Sequence, residues 1–161
     1  MMSLILRPLR VVVQSLLAHD APQQLAAGFA LGMVAGLLPK GNLVAVSLVV
    51  LLFSLRVNTG ISLVAMLLFS WLSPLFDPLA DKLGLAVLSA DSFQATYASV
   101  YSWPLGPWFE FNNTAVTGSF LLGIYFFYPV YWFANVVFTR LQPRPIEQRP
   151  VSKHPFERRA A

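Results

Sequence analysis

Residues 21–76 read APQQLAAGFALGMVAGLLPKGNLVAVSLVVLLFSLRVNTGISLVAMLLFSWLSPLF, and these 56 residues carry two charges, Lys40 and Arg56. Gly28, Gly32 and Gly36 recur at every fourth position, so on a helix they fall on one face. A face without Cβ atoms lets a second backbone approach closely, which is how helices pack where water supplies no driving force. Segments that are apolar all round belong in a core or in a membrane. The stripe therefore predicts a helix-packing face inside a membrane core.

Composition points the same way. Hydrophobic residues make up 57% of the 161 and charged residues 11%, where soluble domains average about 25% charged. Mean hydropathy is +0.64. The expected class is an all-α integral membrane protein, a single membrane domain over residues 1–139. With no cysteine, disulfides, thiolate metal sites and a cysteine nucleophile are excluded. The net charge of +4 sits in residues 140–161, which hold six Lys/Arg and two Asp/Glu, while residues 1–139 hold five of each sign. The basic character belongs to a tail, not to a folded face, so nucleic acid is not an expected partner.

Working outward from the stripe, Asp20 is a candidate cap and Pro22 a first-turn residue for a helix over 23–38. At 1.5 Å per residue that helix is about 24 Å long, short of a hydrocarbon core of about 30 Å. Pro39-Lys40-Gly41-Asn42 is a turn, 43–55 a second short helix, Arg56 to Gly60 the next turn, and 61–76 a third helix. The first two form a hairpin that either spans, with Lys40 snorkelling to the far side, or re-enters, with its tip buried in protein. Upstream, Ser3, Arg7, Arg10 and Gln14 make a polar stripe on 3–18, an amphipathic helix suited to the membrane surface. Arg7, Pro8 and Arg10 interrupt its apolar run, which disfavours a cleaved signal.

Residues 77–111 change character. Asp77, Asp81, Asp91 and Glu110 face only Lys82 in charge, and Phe93, Tyr97, Tyr101, Trp103, Trp108, Phe109 and Phe111 concentrate there. Amphipathic rings gather at membrane–water boundaries, so this reads as an interfacial, extracytoplasmic segment. Asn112-Asn113-Thr114 supplies polar caps for a spanning helix over 115–138, with Pro129 inside it and Asn135 as its one strongly polar residue, expected in an interhelical hydrogen bond. The basic, proline-rich residues 140–161 are expected to be disordered. With both ends cytoplasmic, nine cations (Arg7, Arg10, Arg56 and six in the tail) lie inside against Lys82 outside, joined by Lys40 if the hairpin spans, the asymmetry the positive-inside rule requires.

Little catalytic chemistry is in view. The two histidines are His19 and His154, and no metalloprotease, nucleophile-elbow or phosphate-loop motif occurs. Asp77 and Asp81 at i, i+4 read as a solvated helix start. Neither a catalytic residue nor a cofactor or metal site is expected, and an enzyme is not. Candidate lipid or partner contacts are Pro39, Lys40, Gly41, Asn42, Arg56 and Asn58.

The run from Ala21 to Pro39, then Gly41-Asn42, Arg56-Val57-Asn58 and Ser73-Pro74, resembles the domain-of-unknown-function 2062 family of small bacterial inner-membrane proteins over about residues 20–84. The family's Pro before a small-residue helix matches Pro22 and residues 26–32, and its Asn at the second turn matches Asn58. Its Asn-Pro after the third helix is Ser73-Pro74 here. The resemblance implies a multi-pass protein of the bacterial cytoplasmic membrane without a known cofactor. The expectation is a non-enzymatic membrane partner or scaffold in envelope or lipid handling, in contact with membrane lipids and with a protein partner or further copies of itself. The alternative is a small oligomeric channel or carrier built on a re-entrant hairpin.

Overall fold

The computed structural model describes residues 20–142, so the expected helix over 3–18 and all but the first residues of the 140–161 tail lie outside the described residues. Within them the first helix, α1, is Pro22–Leu37. Pro22 has no N–H to leave unsatisfied in the first turn. The residue at the cap is Ala21, not Asp20, and the Gln24 carboxamide accepts from the Ala21 N–H at 3.2 Å. The helix stops because Leu38 is extended (φ −69°, ψ 139°), the conformation demanded of a residue before proline. Gly41 turns the chain at φ +108°. Asn42 then caps α2, Leu43–Ser54, and Asn58 caps α3, Thr59–Leu88. α4, Asp91–Tyr101, and a 3-10 turn, Gly106–Phe109, lead to α5, Thr114–Leu141, capped by Asn113. No strand occurs among the described residues.

The largest departure from expectation is α3. It does not end at residue 76 but runs for 30 residues through Pro74 and Pro78. Two prolines and Asp77 read as a stop, yet tertiary packing carries the helix on. A Cβ on Gly84 would collide with the Thr114 carbonyl oxygen, and one on Gly118 with that of Ala80. Thr114 Oγ1 also donates to Asp81 Oδ1 at 3.0 Å. The second half of α3 is thus held against the first turns of α5 by small residues four apart on both helices. Residues 77–111 are accordingly the end of α3, then α4, then the 3-10 turn. At the other end α5 continues to Leu141, into the segment expected to be tail.

The glycine stripe sets the arrangement. Cβ atoms built on Gly28, Gly32 and Gly36 would meet Asn58 and Ser62, then Ser62 and Ala65, then Met66 and Phe69. Numbers rise together, so α1 and α3 run parallel, with α2 as the return stroke. α5 runs against both: Gly123 abuts Val34, the Phe29 and Phe138 rings are 6.3 Å apart, and Gln142 reaches Asp20. α1 is enclosed by its neighbours, with ten of its 16 residues buried. α3 buries five of 30, so it is shell rather than core. The shell faces outward with apolar side chains, Leu67, Trp71, Leu75, Tyr128 and Trp132 among them, each at least 60% exposed. α3 and α5 are long and apolar enough to cross a membrane.

Gly32→Ala and Gly118→Ala should each destabilise the fold by about 1–3 kcal/mol, because the added methyl meets backbone that has no rotamer to yield. The thermal midpoint in mild detergent, followed by near-ultraviolet circular dichroism, measures it.

Candidate functional site at the hairpin tip

The last carbonyls of a helix have no intrahelical donors. Here Lys40 supplies them. Its Nζ donates to Ala35 O at 2.9 Å, Gly36 O at 3.0 Å and Leu38 O at 2.8 Å. All three ammonium protons are used, at the negative end of the α1 dipole. Lys40 lies in the turn, outside every helix, and desolvation by partial burial lowers its pKa from the usual lysine value. Asn42 is buried and likewise committed: Nδ2 donates to Pro39 O and Oδ1 accepts from Ala45 N, both at 2.8 Å. Ser73 Oγ lies 3.3 Å from Leu37 O and 3.2 Å from Asp77 Oδ1, pinning the tip to α3 one turn before its first charge.

Arg56 and Asn58 are not part of this cluster. They lie at the opposite end of the helices. Asn58 Nδ2 donates to Asp20 Oδ2 at 2.6 Å, its Oδ1 accepts from Ile61 N at 2.7 Å, and Gln142 Nε2 donates to Asp20 O at 2.8 Å. This knot ties the start of α1, the start of α3 and the end of α5 together. The candidate contact residues therefore divide between two ends rather than converging. Gly28, Gly32 and Gly36 lie between, turned into the α1–α3 seam.

Above the tip sits an aromatic ledge. Phe109 and Phe111 stack at 5.7 Å and pack on a core that includes Met33, Leu37, Leu38, Val44 and Val116, while Trp103, Leu105 and Trp108 are at least 60% exposed. Thr117 Oγ1 donates to Phe111 O at 2.8 Å. Tyr101 Oη accepts from Asn112 N at 2.9 Å, fastening α4 to the ledge. Between tip and ledge lies a cleft of about 250 Å³ lined by Gly41, Pro107, Trp108 and Glu110. A second, wholly apolar recess of about 400 Å³ lies between α3 and α5, lined by Leu79, Leu83, Leu121, Leu122, Tyr125 and Phe126.

Other sequence candidates are placed as follows. Asp77 takes its bond from Ser73 on its own helix and Asp81 from Thr114 on α5, so the two do not share a ligand-like site. Among the described residues no group of three metal-ligating side chains occurs. The Asn135 Oδ1 is buried without a hydrogen-bond partner among those residues, so the interhelical bond expected of it is not made through that atom. Sequence reasoning missed the capping geometry of Lys40 and the left-handed backbone of Glu110. The signal for the first was a lysine three residues past the end of a glycine-lined helix.

A family model described as "Uncharacterized protein conserved in bacteria (DUF2062)" matches residues 6–146. An uncharacterized protein of Treponema pallidum (strain Nichols) is 31% identical over 134 residues, spanning 83% of each chain. No solved structure matches.

Lys40→Met should strand three carbonyls at the end of α1 and lower stability by about 1–3 kcal/mol, and Asn42→Ala by about 0.5–2 kcal/mol. Thermal unfolding in detergent reads both. A Lys40→Met midpoint equal to wild type would remove the cap from the account.

Proposed function

The chain belongs to the bacterial family described as uncharacterized protein conserved in bacteria (DUF2062), and from that premise we propose a multi-pass protein of the cytoplasmic membrane. In this reading it acts as a non-enzymatic partner or scaffold in envelope or lipid handling. One observation carries the membrane assignment. α3 and α5 are the most apolar long helices, yet only 11% and 17% of their apolar windows are buried. A core helix of a water-soluble protein hides such a surface; these two present it outward, which suits lipid.

The threading follows from where the polar ends fall. Asp20, Asn58 and Gln142 mark one boundary, Asp77 and Asp81 the other. Residues 59–76 between them make about 27 Å of helix, near the bilayer core of about 30 Å. The cation excess puts the Asp20–Asn58–Gln142 end inside. The hairpin tip, bonded to Ser73, reaches the level of the far boundary. α2 alone is about 18 Å long, and the extended backbone at Leu55 completes the return, which favours a spanning hairpin over one that stops midway.

A scaffold fits this interior better than a conduit. The centre is filled by α1, its glycines are closed by backbone, and Lys40, the one cation a re-entrant pore would expose, is spent on α1 carbonyls. Coupled carriers use ionisable groups within their spans. Here the buried polar side chains among the described residues are Asn42, Ser62, Thr117 and Ser119.

Because the chain has no cysteine, single-cysteine variants report sidedness cleanly. Arg56→Cys and Thr139→Cys should react with an impermeant maleimide only from the cytoplasmic side, and Asp91→Cys and Trp103→Cys only from the outside. Labelling of Arg56→Cys and Asp91→Cys from the same side would contradict the threading. In mild detergent the protein should co-purify at fixed stoichiometry with a larger envelope protein; a clean homo-oligomer would contradict the scaffold role.

A further inference from the structure

Two described residues have positive φ, Gly41 at +108° and Glu110 at +54°. They are 69 positions apart and line the same 250 Å³ cleft. Gly41 has the backbone of a residue that only glycine adopts freely, and a Cβ there would meet nothing within 4 Å. The space in front of it is open. Glu110 is a rarer case, since the left-handed region is disfavoured for a long non-glycine side chain. That conformation closes the 3-10 turn, with the Glu110 N–H donating to Pro107 O at 3.2 Å and Asn113 N donating back to Glu110 O at 2.9 Å. Glycine or asparagine would close the same turn more cheaply. Strain held at a cleft is a reason to look for a ligand there.

The chemistry of the lining narrows what that ligand is. Glu110 brings a carboxylate that makes no hydrogen bond or ion pair among the described residues. The nearby acids differ: Asp77 is bonded by Ser73 and Asp81 by Thr114. Lys40, next to Gly41, does not compensate Glu110, for its three protons lie on α1 carbonyls. Trp108, 70% exposed, brings the strongest cation-binding aromatic face. An anion is repelled by the carboxylate. Calcium and magnesium take six or more oxygen ligands and zinc three or four protein ligands, which one carboxylate does not approach. A carboxylate beside an indole over an open glycine suits an alkylammonium, whose charge meets Glu110 while its carbon substituents lie on Trp108. At about 30 Å³ per water, the cleft holds roughly eight waters, room for such a headgroup and its adjoining methylenes.

We propose that the cleft formed by Gly41, Pro107, Trp108 and Glu110 binds an organic ammonium group. Two sources offer that group, the amine of a lipid headgroup and a soluble amine. The lipid source rests on the membrane reading above, which sets the exposed Trp103, Leu105 and Trp108 at the interface; the ammonium chemistry itself does not.

The test isolates Trp108 fluorescence by replacing Trp71, Trp103 and Trp132 with Phe. In detergent, tetramethylammonium chloride and ethanolamine hydrochloride should change that emission saturably, where sodium chloride does not. Glu110→Asn and Glu110→Gly both suit the left-handed turn, so both should fold with thermal midpoints at or above wild type and bind at least about fivefold more weakly. In nanodiscs, a shift with ethanolamine-headgroup lipid over glycerol-headgroup lipid assigns the site to lipid. Ammonium binding without a headgroup difference assigns it to a soluble amine. Equal responses to sodium and ammonium salts, or undiminished binding by the folded Glu110 variants, would overturn the proposal. The detergent arm stands apart from the cysteine-labelling result, so failure of the site and failure of the membrane threading are read separately.

Discussion

At Gly32 the backbone of α1 comes so close to the Ser62 carbonyl of α3 that any side chain would collide with it. Gly28 and Gly36 repeat the approach one turn to either side. Contact this close gains dispersion along the whole seam and brings Cα–H groups toward facing carbonyls. Much else follows from it. Parallel α1 and α3 require a return stroke, which is α2, and a tight turn at each of its ends. The first turn has to end α1 in the space beside α3, so its carbonyls are met by Lys40 and Ser73 rather than by water. The second has to start α3 beside Asp20, and Asn58 serves as cap and as tie at once.

The seam also explains why the shortest of the three bundled helices is its centre. α1 needs apolar cover on every side, and α3 and α5 provide it with small residues: Ala65 and Ser62 on one, Gly123 on the other. Phe69 of α3 and Phe138 of α5 pack on Phe29 of α1, while Leu67, Trp71, Leu75, Tyr128 and Trp132 face outward. The contact between α3 and α5, where α3 outruns α1, again uses small groups, Ala80 and Gly84 against Gly118 and Thr114. The same device, backbone approach through missing side chains, operates at both crossings.

Much of this was legible in the residues. The glycine period, the turns at Pro39–Asn42 and Arg56–Gly60, the polar cap at Asn112–Thr114 and the uncharged 115–138 run all have short-range causes, whereas Asn42 and Asn58 stood as turn residues and candidate contacts and are the caps of α2 and α3. The partner of the stripe was not legible, because a glycine face says that something comes close without saying what. The extension of α3 through Pro74 and Pro78 was missed because local propensity argues for a stop, while the support comes from α5 some 35 residues away. Lys40 stood as a candidate lipid or partner contact, and its three carbonyl bonds were not legible because they depend on how α1 ends. Glu110 stood among other acids in an aromatic stretch, and only its backbone conformation and its place opposite Gly41 set it apart.

The central claim is that the α1 stripe is closed by the α3 backbone within one chain. A Cβ on Gly32 would lie 3.0 Å from the Ser62 carbonyl carbon, so with a bond of about 1.5 Å the Gly32 Cα and Ser62 C′ are within about 4.5 Å. Solid-state NMR of selectively 13C-labelled protein in bilayers, diluted with unlabelled chains, measures that pair. A strong Gly32 Cα–Ser62 C′ correlation that survives dilution is the expected result. Its absence, with Gly32 correlating instead to lipid acyl chains or only to a second copy, would contradict the account.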